Sequence, residues 1–227
     1  EATTGRAGLM YRFENGISPY ISYAEAFSMN LGTDGTPEAN TLKPTTGDQQ
    51  EAGVKYVSPD ESLGISAAYF DITQENRVSD GNTPGGVEQT GAVIDGWELQ
   101  VNKRWQRFET QLAYTDLNAR DDASGNRLPY VAERQASWWN QLYIANNWRV
   151  GAGVRYVGDN VGSGGGPVVP SVTLYDAMIG YTWQNWDFTV DAKNLADDEY
   201  ITWCRSEGAD CGYGERRTVN ANAKYRF

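Results

Sequence analysis

The sequence predicts an all-β fold, a transmembrane antiparallel up-and-down β-barrel, and three observations carry that reading. Apolar and polar residues alternate with period two in segment after segment, short and long connections follow one another strictly, and aromatic rings gather at the segment ends. No apolar run approaches the roughly 18 to 20 residues that a membrane helix needs. Hydrophobic residues make up 40% of the 227 and mean hydropathy is −0.60. A strand barrel accounts for such a low average, because spans of about ten residues alternate lipid-facing with lumen-facing side chains.

In chain order, Ala7, Leu9, Tyr11 and Phe13 oppose Arg6, Gly8, Met10 and Arg12. Ala52, Val54 and Tyr56 oppose Glu51, Gly53 and Lys55, and Trp97, Leu99 and Val101 oppose Glu98, Gln100 and Asn102. Phe108, Thr110, Leu112 and Tyr114 oppose Glu109, Gln111, Ala113 and Thr115. Trp148, Val150, Ala152, Val154 and Tyr156 oppose Arg149, Gly151, Gly153 and Arg155. Tyr175, Ala177, Ile179, Tyr181 and Trp183 form the next apolar face. Trp186, Phe188, Val190 and Ala192 then oppose Asp187, Thr189, Asp191 and Lys193. Over 215–227, Val219, Ala221, Ala223, Tyr225 and Phe227 oppose Arg216, Thr218, Asn220, Asn222, Lys224 and Arg226. Segments 17–28, 63–74 and 134–145 alternate less cleanly but are β-rich and bounded by turn residues, which gives eleven strands.

The short connections are Glu14-Asn15-Gly16, Pro59-Asp60-Glu61-Ser62, the stretch around Gln106, Asn146-Asn147 and Gln184-Asn185. The long ones are the polar loops 30–47, 75–91, 118–133, 158–170 and 195–214. Outer-membrane barrels sort their connections this way, turns at one end and loops at the other, whereas a soluble sandwich with Greek-key connections does not. Phe13, Tyr56, Trp105, Phe108, Trp148, Trp183, Trp186 and Phe227 fall at the short-turn ends, and Tyr23, Tyr69, Tyr114, Tyr156 and Tyr175 towards the loop ends. Two such girdles suit the two membrane–water interfaces. Charged residues on the opposite face of strand after strand would wreck a packed soluble core, but they suit a wet or plugged lumen. Bacterial barrels have even strand counts, and an open edge in lipid leaves backbone groups unpaired. Eleven strands are therefore expected to pair with others upstream of this sequence.

The net charge of −11 argues against a nucleic-acid partner. Glu1-Ala2-Thr3-Thr4-Gly5 has neither the charged nor the apolar region of a targeting signal. Cys204 and Cys211 lie in a polar loop and would form a disulfide in an oxidising compartment. Two cysteines and no histidine are too few ligands for a structural zinc site. Gly162-Ser163-Gly164-Gly165-Gly166 lacks the strand-to-helix context of a phosphate cradle and reads as a flexible loop. Asp121-Asp122 and Asp197-Asp198 read as loop residues, and the lack of histidine removes the usual base of a hydrolase.

Four stretches run the length of the chain in a recognisable order. They are Thr4-Gly5-Arg6-Ala7-Gly8-Leu9-Met10-Tyr11 with Pro19-Tyr20-Ile21-Ser22-Tyr23-Ala24-Glu25-Ala26-Phe27; Leu42-Lys43-Pro44-Thr45-Thr46-Gly47 with Glu51-Ala52-Gly53-Val54-Lys55-Tyr56; Lys193-Asn194-Leu195-Ala196-Asp197-Asp198-Glu199-Tyr200; and Gly212-Tyr213-Gly214-Glu215-Arg216-Arg217-Thr218-Val219. With the terminal Phe227, they resemble the TonB-dependent receptors, and more narrowly the ferric-hydroxamate siderophore branch, of ferrichrome and ferrioxamine type. The resemblance implies a 22-stranded barrel filled by an N-terminal plug, of which residues 1–227 would be the C-terminal half. It implies a monomer in the outer membrane of a Gram-negative bacterium, surrounded by outer-membrane lipid. The receptor would import a ferric siderophore with energy from a TonB-type inner-membrane partner acting on the plug. No cofactor and no enzyme activity are expected. Phe27, Trp203, Arg205 and Tyr213 are the candidate siderophore-binding residues, rings to pack against the chelate and donors for its peripheral oxygens. The alternative for each is a solvated loop residue or a girdle ring. Trp203 and Arg205 flank Cys204, so a disulfide would hold them in place. A catecholate siderophore or cobalamin receptor and a passive porin are the alternatives; haem is disfavoured by the lack of histidine.

Overall fold

The computed structural model describes residues 3–36, 38–80, 87–145, 147–163, 166–206 and 209–227. Glu1 and Ala2, the tip 81–86 of one expected loop, the turn residue Asn146, and Gly164 and Gly165 lie outside the described residues. In chain order the strands are β1 (Arg6–Met10), β2 (Ile17–Ser28), β3 (Thr45–Val57), β4 (Leu63–Asp80), β5 (Val87–Arg104), β6 (Phe108–Asp121), β7 (Arg134–Ile144), β8 (Trp148–Val157), β9 (Asn160–Val161), β10 (Val168–Val169), β11 (Val172–Trp183), β12 (Trp186–Lys193), β13 (Ile201–Ser206), β14 (Ala209–Tyr213) and β15 (Thr218–Tyr225). Eleven of them form one antiparallel sheet in the order β1-β2-β3-β4-β5-β6-β7-β8-β11-β12-β15, so each pairs with its neighbour in the chain once the two loop hairpins are passed over. The hairpins β9–β10 and β13–β14 sit in the last two long loops.

The register settles which residues share a face, because directly opposed residues in an antiparallel pair point the same way. One row runs Ile17, Tyr56, Ile65, Val101, Leu112, Trp138, Val154, Tyr175 without a break. Nearer the turns, Phe108, Leu142, Val150, Ile179, Val190 and Ala221 form another row on the same face. Leu9 lies opposite Ile21, and Val219 opposite Ala192, so both belong to it too. This face is apolar yet uncovered: Leu9 is 71% exposed and Val219 61%. Water disfavours so large an apolar surface, and lipid accepts it.

Both girdles fall on this face. Trp105 packs on Phe108 (ring centroids 5.3 Å), Trp148 on Tyr181 (4.5 Å) and Trp186 on Tyr225 (5.0 Å) at the turn end. At the loop end Tyr69 meets Trp97 at 4.9 Å.

The other face is polar and pairs its charges. Arg149 donates twice to Asp187 (3.0 and 2.5 Å) and to Thr189 (2.8 Å), and Arg155 donates twice to Asp176 (2.5 and 3.0 Å). Such bidentate pairs compensate partly buried charge far better than single contacts do. Trp139 also points to this side, lying over Gly151 and Gly153. A Cβ at those glycines would come within 2.4 and 2.5 Å of the indole, so bare backbone is what lets the ring lie flat.

The structure corrects the loop boundaries. The expected loop 75–91 is largely strand: β4 runs to Asp80 and β5 starts at Val87, with a bulge between Gln74 and Arg77. The turn-forming residues of 81–86 masked β-compatible neighbours such as Val78, Val87 and Thr90 in the sequence pattern. At the start, β1 ends at Met10 rather than at Phe13, although Tyr11 and Phe13 still donate backbone bonds to Pro19 (3.1 Å) and Ile17 (2.9 Å).

Leu112 sits mid-strand on the apolar face, between Val101 and Trp138. Leu112→Arg is predicted to cost about 2–4 kcal/mol of folding stability near the bilayer midplane. Gln111→Arg, one residue away on the polar face, should cost far less. Urea unfolding of the full receptor in lipid vesicles measures both, and equal costs would refute the assignment of faces.

Candidate functional site

Among the described residues, an apolar island lies on the polar face at its loop end. Ala92 and Ile94 of β5 and Leu117 and Ala119 of β6 point to that face, and Leu128 and Val131 from the following loop close over them. Ala92, Ala119 and Leu128 are buried. The loop 122–133 therefore folds onto the inner side of the wall, driven by burial of a few small and branched side chains.

Two residues past Leu128, Tyr130 takes a left-handed backbone conformation (φ 66°). That geometry is costly for a bulky side chain and persists only where surroundings hold it. Here its N–H donates to the Val161 carbonyl (2.8 Å) and its hydroxyl to Ser163 Oγ (2.9 Å), while its ring meets Trp203 edge-on at 6.1 Å. Arg127 adds a bridge from the same loop, donating to Asp159 Oδ2 at 2.7 Å and to its carbonyl at 3.0 Å. The guanidinium holds the Asp159 carboxyl below the usual carboxylate range. Asn160, 5% exposed, donates to the Thr202 carbonyl at 3.1 Å, joining the β9–β10 loop to the β13–β14 hairpin. Three loops thus meet at Tyr130, Ser163 and Trp203.

The hairpin is closed by the expected disulfide, with Cys204 directly opposite Cys211 and 4% exposed. In the chain-entropy picture a loop this short gains about 2–3 kcal/mol from such a link. Trp203 lies over Gly212, where an added Cβ would come within 2.2 Å of the indole nitrogen. Arg205 lies 3.5 Å from Asp210 on the same hairpin. Tyr213 is opposite Ile201 and 67% exposed. Three of the four candidate residues are therefore brought onto one hairpin. Phe27 is not among them: it sits on β2, near the other edge of the sheet, and shares the outer face with Ile21 and Tyr23. Tyr130 is the residue that the sequence pattern missed, and its position inside a polar loop gave no periodic signal. Among the described residues no group of three or more His, Cys, Asp or Glu could hold a metal ion.

Both ends of the hairpin's long loop are pinned. Asn194, 2% exposed with φ 53°, donates from its side chain to the carbonyls of Asp198 (2.9 Å) and Glu215 (3.1 Å), and accepts from the Asp198 N–H (2.9 Å). Asp197 accepts from Arg216 (3.1 and 3.0 Å) and from the Arg217 N–H (2.9 Å). These donors, Arg216 foremost, hold the Asp197 carboxyl down to about 2. A depressed acid stabilises the fold above its unfolded value, near 3.9, and loses that contribution as pH falls through its folded value. The loop is accordingly predicted to loosen between about pH 4 and pH 2. Hydrogen exchange at the Arg217 amide reads this directly. Asp197→Asn should exchange faster at neutral pH and lack that acid step; an unchanged step in the variant would refute the assignment.

The TonB dependent receptor-like β-barrel family matches residues 1–195. The ferrioxamine receptor of Yersinia enterocolitica is 32% identical over 240 residues, covering 99% of this chain and 33% of the relative. The ferrichrome outer membrane transporter/phage receptor of Escherichia coli is 30% identical over 252 residues, with 99% and 32% covered. Among solved structures, the ferric-catecholate import receptor Fiu of Escherichia coli superposes with a TM-score of 0.79 at 25% identity, covering 99% of this chain and 35% of its own. The chain spans about a third of the length of these relatives. The matched residues, the ladder and its two faces place it plainly: the chain belongs to the TonB-dependent receptor β-barrel family.

Proposed function

We propose that this chain is the C-terminal half of the barrel of an outer-membrane receptor that binds a ferric hydroxamate siderophore and imports it. The rest of the barrel and a plug lie in the remainder of the protein, and a TonB-type inner-membrane complex supplies the energy through that plug. The likeness to ferrioxamine and ferrichrome receptors over 98–99% of the chain is the observation that carries this reading. The loop clasp supports it. A ferric hydroxamate needs rings to pack against and donors for its peripheral oxygens, and Trp203, Arg205 and Tyr213 supply both from one disulfide-closed hairpin. A loop already held by a covalent link loses less entropy on binding, so its rings contribute more to affinity. Arg205 can donate to carbonyl or hydroxamate oxygens while keeping its charge. Nothing in this role makes or breaks a covalent bond in the ligand; the barrel works as a monomer in lipid.

The second reading is a catecholate siderophore receptor. It is favoured by the likeness to the catecholate siderophore receptor Fiu, 30% identical over 246 residues.

Equilibrium binding to the full-length receptor tests both. Ferric trihydroxamates are expected to bind more tightly than ferric triscatecholates, and the reverse order would establish the second reading. Trp203→Ala and Arg205→Ala are each expected to lose about 1–2 kcal/mol of affinity, the size of an interface anchor. Affinity unchanged within about 0.5 kcal/mol for both folded variants would leave the hairpin structural and move the site elsewhere.

A further inference from the structure

We infer that Tyr130 and Trp203 form one aromatic seat that selects a ferric chelate carrying a positively charged pendant group over an anionic one. This rests on the siderophore-receptor reading above. The two rings come from loops far apart in sequence yet meet edge-on at 6.1 Å, and each keeps about two fifths of its surface open (42% and 39%). Neither is loose. Tyr130 is held at its N–H and its hydroxyl by Val161 and Ser163, and Trp203 is held over Gly212 beside the disulfide. Ordered rings lose little freedom when a ligand settles on them, and their faces carry the negative quadrupole that attracts ammonium and guanidinium groups.

The charges around the seat give the sign of the preference. Among the described residues, most guanidiniums in and beside these loops already meet carboxylates: Arg120 with Glu133, Arg127 with Glu133 and Asp159, Arg205 with Asp210, and Arg216 with Asp197 and Glu199, while Arg217 donates to the Leu195 carbonyl. An anionic chelate drawn to one of those paired guanidiniums would compete with its carboxylate. Among the described residues of the long loops, carboxylates outnumber Lys and Arg, in keeping with the chain's net charge of −11. A surface of this kind concentrates cations and repels anions, and salt weakens the effect.

The test keeps one ferric trihydroxamate core and changes only its pendant charge. Ferrioxamine B bears an ammonium group; its N-acetyl derivative is neutral there, and its N-succinyl derivative carries a carboxylate. Binding of all three to the full-length receptor is measured by intrinsic fluorescence quenching. At an ionic strength of about 0.01 M, where screening is weak, the ammonium form is expected to bind about tenfold more tightly than the succinyl form. The neutral form should fall between them, and the gap should close as salt approaches about 1 M. In Tyr130→Ala and Trp203→Ala the gap should shrink to about twofold or less, as expected when a cation loses its aromatic partner. Equal affinities of the three forms at low salt, or tightest binding of the succinyl form, would overturn the charge preference while leaving the receptor reading intact. A gap that both variants retain would overturn the aromatic seat. Binding of none of the three would overturn the receptor reading and this inference with it.

Discussion

In hydrocarbon a backbone N–H or C=O without a partner costs several kcal/mol, and no water is present to relieve it. Every strand of the main sheet must therefore pair along its length, and the succession of paired strands from β1 to β15, with a bulge between Gln74 and Arg77, answers that requirement. Register in turn dictates face. A slip of one residue at any pair would send a row of valines and leucines into the lumen and a row of charges into lipid. The consistency of that parity through Leu112, Trp138, Val154 and Tyr175 is thus a consequence of the solvent as much as of the sequence.

The polar face faces the converse problem. Arginines and aspartates on a wall that encloses a lumen lose part of their hydration, so they must find one another. Arg149 with Asp187 and Arg155 with Asp176 do so across adjacent strands, in the bidentate geometry that a planar guanidinium permits and an ammonium would not. The glycines beneath Trp139 belong to the same economy of space, since a ring lying flat on a sheet leaves no room for a Cβ below it. An aromatic on the polar face packs against backbone where a leucine on the other face would meet lipid.

Above the wall, pairing no longer dominates and side chains take over. The loop 122–133 is anchored by Leu128 in a small apolar island, and that anchoring holds Tyr130 in a left-handed conformation it would otherwise avoid. Its ring and hydroxyl then connect two further loops. A disulfide, a buried asparagine and an aspartate held by two arginines do the same for the last loop. Recognition surfaces on loops require such anchoring, because an unanchored loop loses its freedom only when the ligand arrives and affinity falls accordingly.

The eleven strands of the main sheet, the two faces and both girdles were legible in the sequence, because each is a local pattern: side chains alternate every residue, and lipid sorts them; the hairpins β9–β10 and β13–β14 inside the expected loops were not. The face of Phe27 was legible too, since it keeps the parity of Ile21 and Tyr23. The strand within 75–80 was obscured because turn formers at 81–86 outweighed weak β signals beside them. Tyr130 could not be found at all from its neighbours. Its role depends on Ser163 and Trp203, which lie in other loops, and on a left-handed backbone whose N–H donates to the Val161 carbonyl. Alternation within a strand is fixed by bond geometry over two residues, whereas a contact between loops exists only once the ladder has brought their ends together.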